Sequence, residues 1–253
     1  MLQQFTSNKD KLDPYEKPTL PQLDERRLSK IAVLDIGSNS VRLVVFDGAA
    51  RSPSYFYNEK LMCRLGEGLS TTGHLNPDGK ERAISAIRRF KFLTESMGIN
   101  EMTAVATAAV RNAKDGLEFC QQVFEKTGQR IWVIDGTEEA QLAAQGVLLG
   151  WPGSFGLVCD LGGSSMELAE INHGLVGSTI TSDLGPLKLQ ELEGGPAARQ
   201  AYIRKTVRQL ADAMGPQQNR LFLVGGSWRA LARVDMQRTD YPLRVLHEYR
   251  MGR

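Results

Sequence analysis

The chain has 253 residues, 31 basic and 29 acidic side chains for a formal charge of +2, and 42% hydrophobic residues. That composition describes a soluble globular protein with room for one large or two modest domains, and its near-neutral charge argues against a broad nucleic-acid surface. No uninterrupted apolar run is long enough to span a bilayer, so no membrane partner is expected. The three cysteines, Cys63, Cys120 and Cys159, are odd in number and widely spaced. They suit a reducing, cytoplasmic setting without a disulfide framework and match no zinc pattern. The three histidines, His74, His173 and His247, are too few for a histidine-rich metal centre.

Residues 1–29 are polar, contain Pro14, Pro18 and Pro21, and lack the apolar core of a signal peptide, so a flexible leader is expected. Two β-branched runs follow, Ile31 to Leu34 and Val41 to Phe46, around the polar turn Asp35-Ile-Gly-Ser-Asn-Ser40. Taken alone, this segment reads either as an ordinary hairpin or as a phosphate-sized loop between strands. Ser54 to Arg64 suggests a third strand, and Gly66 to Gly73 a loop. Asn76 and Pro77 open a helix with Ala83, Ile84, Ile87, Phe90 and Leu93 at helical spacing, ending near Gly98.

Glu101 to Ala106 reads as a buried strand, and Asn112 to Thr127 as a helix. Arg111 lies between them, just past a strand end. It either meets a ligand there or caps local structure. Ile131 to Ile134 is the next strand. Thr137 is the expected N-cap of the following helix, with Glu138 and Glu139 in its first turn. Those two glutamates either serve the helix end electrostatically or send one carboxylate across the strand ends as a base.

Leu148 to Gly156, with its Trp-Pro pair and glycines, is the expected domain junction. Immediately beyond it the opening pattern returns. A strand runs into Asp160-Leu-Gly-Gly-Ser-Ser165 and out again, in register with Asp35 to Ser40. This is an internal repeat, and two similar folds follow from it. Ile171 to Ile180 is strand-like with a turn near Asn172 and Gly174. Leu187 to Glu193 and Pro196 to Met214 are helical. Asn219 to Val224 is a strand leading into Gly225-Gly226 and another helix, and Val245 to Arg253 reads as a strand and loop.

Two glycine-containing loops, each fixed to an aspartate, form a cradle for a phosphate chain. Backbone amides of Gly37, Ser38, Asn39, Ser40, Gly162, Gly163, Ser164 and Ser165 can approach phosphate oxygens closely, and Gly225 and Gly226 can expose amides at a helix start. Asp35, Asp160 and Glu167 offer oxygen ligands for a hard divalent cation such as Mg2+. Neither loop carries the lysine of a Walker loop or the spaced glycines of a dinucleotide fold.

Five segments together carry a family resemblance. They are Asp35-Ile-Gly-Ser-Asn-Ser-Val-Arg-Leu43, Ala106-Thr107 with Arg111, Gly136-Thr-Glu-Glu-Ala140, Asp160-Leu-Gly-Gly-Ser-Ser-Met-Glu-Leu168 and Val224-Gly-Gly-Ser-Trp-Arg-Ala-Leu231. With them the chain resembles the exopolyphosphatase and guanosine pentaphosphate phosphohydrolase family, within the actin, Hsp70 and sugar-kinase superfamily. The resemblance implies an α/β fold of two ribonuclease-H-like (actin-like ATPase) domains with the active site in the interdomain cleft. The domains are expected at 30–149 and 150–253, the second one incomplete because family members usually continue past the counterpart of Arg253.

By the same resemblance, Glu138 orients or deprotonates the attacking water, Arg111 stands near the phosphate path, and Asp35, Asp160 and Glu167 belong to the metal and water site. The implied reaction is hydrolysis of terminal phosphate from inorganic polyphosphate with magnesium or another divalent cation. Guanosine pentaphosphate hydrolysis, ATP-dependent phosphate transfer and non-catalytic polyphosphate sensing are the competing readings, and a homodimer is compatible with all of them. Ser164 replaces a frequent third glycine, Met166 a hydroxyl residue and Gln141 a frequent arginine of the family pattern.

Overall fold

Alternating apolar residues from Ile31 onward build the first strand pair. β1 (Ile31–Ile36) buries Ala32, Leu34 and Ile36, and the antiparallel β2 (Ser40–Phe46) buries Val41, Leu43 and Val45. One face of the pair is therefore apolar. The computed structural model describes residues 30–48, 54–99, 102–215 and 220–251, so the leader expected over 1–29 lies outside the described residues.

β3 (Tyr55–Met62) pairs antiparallel with β2. Leu69–Thr72 then forms one helical turn, α1, inside the stretch expected as loop. α2 (Pro77–Ser96) starts where its capping residues predict: the Asn76 side-chain oxygen accepts from the Gly79 amide at 2.7 Å. β4 (Met102–Ala106) and β5 (Ile131–Val133) complete a sheet in the order β3-β2-β1-β4-β5, with β4 parallel to both β1 and β5. Between them lie α3 (Ala108–Asn112) and α4 (Gly116–Thr127), where one helix from Asn112 was expected. Ala113 is extended and breaks the helix, and Gly116 seats against the Val110 carbonyl, where a Cβ would stand 2.0 Å from the oxygen. Ile87 and Phe90 of α2 and Phe119 and Val123 of α4 are fully buried in this core.

The second sheet repeats the plan. β6 (Gly156–Leu161), β7 (Met166–Asn172) and β8 (Leu175–Ser182) form an antiparallel meander, and β9 (Leu221–Val224) runs parallel to β6, giving the order β8-β7-β6-β9. Its helices are α5 (Gly136–Gly150), α6 (Pro186–Glu191), α7 (Gly195–Met214) and α8 (Gly226–Arg238). β7 is covered on both faces. Ala169 and Ile171 meet Ala140, Ala144 and Val147 of α5, while Met166 and Leu168 pack with Leu210 of α7.

The chain divides into two compact units. One holds the described residues up to Leu65 together with Gly73–Ile134; the other holds Gly66–Thr72 and the chain from Asp135 onward. The division between 149 and 150 expected from the Trp-Pro and glycine cluster moves to Ile134/Asp135, because the apolar stripe of α5 is buried on β6 and β7. No strand forms over 245–251. That segment is instead held to α8 by side chains: Tyr249 donates to Asp235 at 2.7 Å and packs edge-on against Tyr241. Among the described residues no helix is long and apolar enough to cross a membrane.

Candidate active site

The two repeated loops share one backbone geometry. In the first unit the Gly37 amide donates to the Ser40 carbonyl at 3.0 Å; in the second the Gly162 amide donates to the Ser165 carbonyl at 3.0 Å. Each turn closes a hairpin in which Ile36 faces Val41 and Leu161 faces Met166. Residues directly opposite on neighbouring strands point to one face, with Cβ atoms about 4.5–5.5 Å apart. Counting one step back from each turn therefore gives two equivalent cross-strand rows. They are Asp35–Arg42–Lys60 on β1, β2 and β3, and Asp160–Glu167–Thr181 on β6, β7 and β8.

The rows differ in charge. Asp35 lies opposite Arg42, whose Nε donates to the Asn58 side-chain oxygen at 2.9 Å. The Asp35 side chain reaches solvent, yet the protein crowded around it pushes its pKa up, with Arg42 and Lys60 pulling it down. In the second row two carboxylates oppose each other. Glu167 is 1% exposed; its Oε1 accepts from the Thr181 hydroxyl at 3.0 Å, and its Oε2 meets no hydrogen-bond partner. Burial first, then the charges of Glu139 and Asp160, hold Glu167 well above the usual carboxylate range, against the pull of the Ser165 and Thr181 hydroxyls.

In the first loop Ser38 is buried, and the Asn39 carbonyl accepts from the Cys63 and Arg64 amides at 3.0 and 2.9 Å, which fixes the turn to the end of β3. Arg111 donates to the Ile134 carbonyl at 2.9 Å, so at least one of its donors caps the end of the first sheet. In the second unit Ser165 is buried, and Gly163 and Ser164 are backed by Gly185, where a Cβ would fall 2.5 Å from the Gly163 oxygen. The Leu187 amide donates to that same oxygen at 2.9 Å. Gly225 has φ +107° and comes so near Asp160 that a Cβ would stand 2.8 Å from its Oδ1. Gly225 is the N-cap of α8 and Gly226 its first residue.

The start of α5 gives the paired glutamates different surroundings. The N-cap is Asp135, not Thr137: its carboxylate accepts from the Glu138 amide at 2.8 Å, and Glu138 accepts in return from the Asp135 amide at 3.3 Å. This capping box turns Glu138 back onto its own helix. The sheet-facing stripe is Gly136, Ala140, Ala144 and Val147. At 100° per residue Glu138 stands roughly 160° from the centre of that stripe and Glu139 roughly 95°. Glu139 therefore flanks the sheet, close enough for its charge to raise Glu167. The carboxylate assigned to water through the resemblance is used as a cap, and its neighbour stands by the acidic row. The spacing of the small residues on α5 carried the signal that separates them.

Among the described residues no group of three or more His, Cys, Asp and Glu side chains is assembled as a metal centre. The expected trio is divided, with Asp35 in the first unit and Asp160 and Glu167 paired in the second. That pair, all oxygen donors with one buried oxygen unpartnered, fits a hard divalent cation. Sequence reasoning missed Thr181 because the expected strand ended at Ile180. It also missed Gly136 and Gly185, whose close approaches are long-range.

The family model of the Ppx/GppA phosphatases matches residues 44–252. The chain belongs to the Ppx/GppA family. Exopolyphosphatase 1 of Mycobacterium bovis is 32% identical over 143 residues, covering 55% of this chain and 42% of that protein. Exopolyphosphatase 2 of Mycobacterium tuberculosis is 31% identical over 197 residues, covering 72% and 61%. The matches thus span less than two thirds of these curated relatives. The crystal structure of a Ppx/GppA member from Aquifex aeolicus aligns with TM-score 0.65 at 27% identity, over 85% of this chain and 71% of that one. An exopolyphosphatase structure from Cytophaga hutchinsonii shares the fold with TM-score 0.75 at 22% identity, over 87% and 74%. The Ppx/GppA fold of this chain is the α/β arrangement related to the actin-like ATPases.

Proposed function

We propose that the chain is a phosphoanhydride hydrolase that removes terminal phosphate from inorganic polyphosphate with the aid of Mg2+. The observation that carries this reading is the acidic row Asp160–Glu167 beside Glu139 and the Gly162–Ser165 turn. Opposed carboxylates repel and are costly to bury unless a cation or a proton joins them. The first unit resolves the equivalent position with Arg42, whereas the second retains two acids and one bare oxygen.

In this reading the two units act as two domains, each offering a loop to phosphate. In the first unit the donors are the amides of Gly37, Ser38, Asn39 and Ser40; in the second they are those of Gly162, Gly163, Ser164 and Ser165, with Gly225 and Gly226 closing the second loop. Arg111 offers cationic charge to the polyphosphate. Asp160 and Glu167 hold the divalent cation. Bound there, Mg2+ would neutralise phosphate charge and polarise the bond being cleaved. Glu139 aligns the attacking water and takes its proton as the in-line attack proceeds; Glu138 holds the helix that carries it.

The test is phosphate release from long-chain polyphosphate, guanosine pentaphosphate and ATP, each with Mg2+ and with a chelator. Mg2+-dependent release from polyphosphate is expected, faster than from either nucleotide. A preference for guanosine pentaphosphate would move the assignment to that substrate, and polyphosphate binding without release under both conditions would make the chain a sensor.

A further inference from the structure

We infer that Thr181 is a positioning residue that sets which oxygen of Glu167 faces the bound cation, and that Gly136 holds Thr181 in place to do so. Three observations converge on it. Thr181 is the cross-strand partner of Glu167, at the end of the row that begins with Asp160. Its hydroxyl donates to Oε1 at 3.0 Å, while Oε2 is buried and bare. Its side chain also rests on the first residue of α5: a Cβ on Gly136 would stand 2.4 Å from the Thr181 γ-methyl and 2.8 Å from its hydroxyl oxygen.

A carboxylate whose Oε1 is held by Thr181, with the Ser165 hydroxyl also drawing on it, cannot rotate freely, so its bare oxygen keeps a fixed direction. Such outer contacts orient a metal ligand without touching the metal. The contact also links two parts of the site. Gly136 begins the turn that carries Glu139, and Thr181 holds Glu167. One side chain thereby fixes the spacing between the water-facing carboxylate and the cation-facing one. Any side chain at 136 would force the two apart. Thr181 itself stays solvent-exposed on the edge strand β8, so its packing adds little to the core.

The catalytic part of this inference rests on the hydrolase reading; the Mg2+ part is measured without substrate. Calorimetric titration of the full chain with Mg2+ alone would compare wild type, Thr181→Val, Thr181→Ser and Gly136→Ala, with thermal unfolding of each as the folding check. Thr181→Val removes the donor and is expected to weaken Mg2+ binding at least about tenfold. Thr181→Ser keeps the hydroxyl and should stay within about threefold of wild type. Gly136→Ala keeps the hydroxyl but displaces it, and should resemble the valine variant.

On polyphosphate, Thr181→Val should lower kcat about 10–100-fold with KM nearly unchanged, the split expected of a residue that acts through Glu167. Equal Mg2+ affinity in wild type and Thr181→Val overturns the inference, as does absence of Mg2+ binding by wild type. If wild type binds Mg2+ but releases no phosphate from polyphosphate, the hydrolase reading fails. The Mg2+ titrations then decide the role of Thr181 alone: a tenfold loss restored by serine upholds it, and a loss shared by serine and valine overturns it.

Discussion

Glu138 and Glu139 are adjacent and chemically identical, yet the turn of α5 gives them different surroundings. The capping box between Asp135 and Glu138 fixes the helix start, and the roughly 100° step to the next residue brings Glu139 beside Glu167. Glu139→Gln is expected to lower kcat on polyphosphate about 10²–10⁴-fold, the usual range for a lost general base. Glu138→Gln should leave kcat within a few-fold, and its cost, about 0.5–1 kcal/mol, should appear in thermal unfolding. Asp115 gives a pH-dependent counterpart. Burial pushes its pKa up, but the Lys80 ammonium at 2.9 Å and the Leu75 amide at 2.9 Å together hold it below its ordinary value of 3.8. The unfolded chain therefore takes up the proton first as pH falls. The stability from Asp115 is complete above pH 3.8 and is lost as pH drops through the folded value. Acid unfolding of Asp115→Ala should lack this component, and at neutral pH the variant should be about 1–3 kcal/mol less stable because the Leu75 amide and Lys80 lose their acceptor.

The repeated elements explain which parts of the site could be read without coordinates. Asp35 and Asp160 each end an apolar run and precede a glycine within a hexamer of small polar residues, so both hairpins and both loops were legible from pattern. The partner of Glu167 was not. The β7–β8 hairpin pairs Asn172 with Leu175 and Ile171 with Val176, but beyond a register shift between Ala169 and Ile171 it pairs Glu167 with Thr181. Counting from the turn without that shift would have placed Ile180 opposite the acid. An irregularity of one residue has no reliable signature in the sequence, and it moves every later side chain to the other face. Gly185 was equally hidden, since its lack of a side chain matters only where α6 begins against the loop at Gly163. Gly185→Ala should push that loop outward. The expected result is a raised KM for polyphosphate, severalfold or more, with a smaller effect on the unfolding midpoint.

At the level of the whole molecule, the two units are not two consecutive stretches of chain. Gly66–Thr72 belongs to the second unit although the residues on either side belong to the first. Its anchor is Glu191 at the end of α6, whose carboxylate accepts from the Gly68 amide at 2.9 Å, the Ser70 amide at 3.2 Å and the Ser70 hydroxyl. Glu191→Ala should accelerate amide exchange across residues 66–72 by tenfold or more while leaving β4 and β5 protected, as read by hydrogen-exchange mass spectrometry. The polypeptide thus crosses from one unit to the other at Leu65/Gly66, returns at Thr72/Gly73 and crosses again at Ile134/Asp135. A dissection at the last crossing alone would yield a first piece whose α1 has lost its Glu191 anchor on α6, and a second piece missing the Gly66–Thr72 segment that Glu191 holds. Fragment complementation, in which both pieces are expressed together, would return the Gly66–Thr72 segment to its Glu191 anchor.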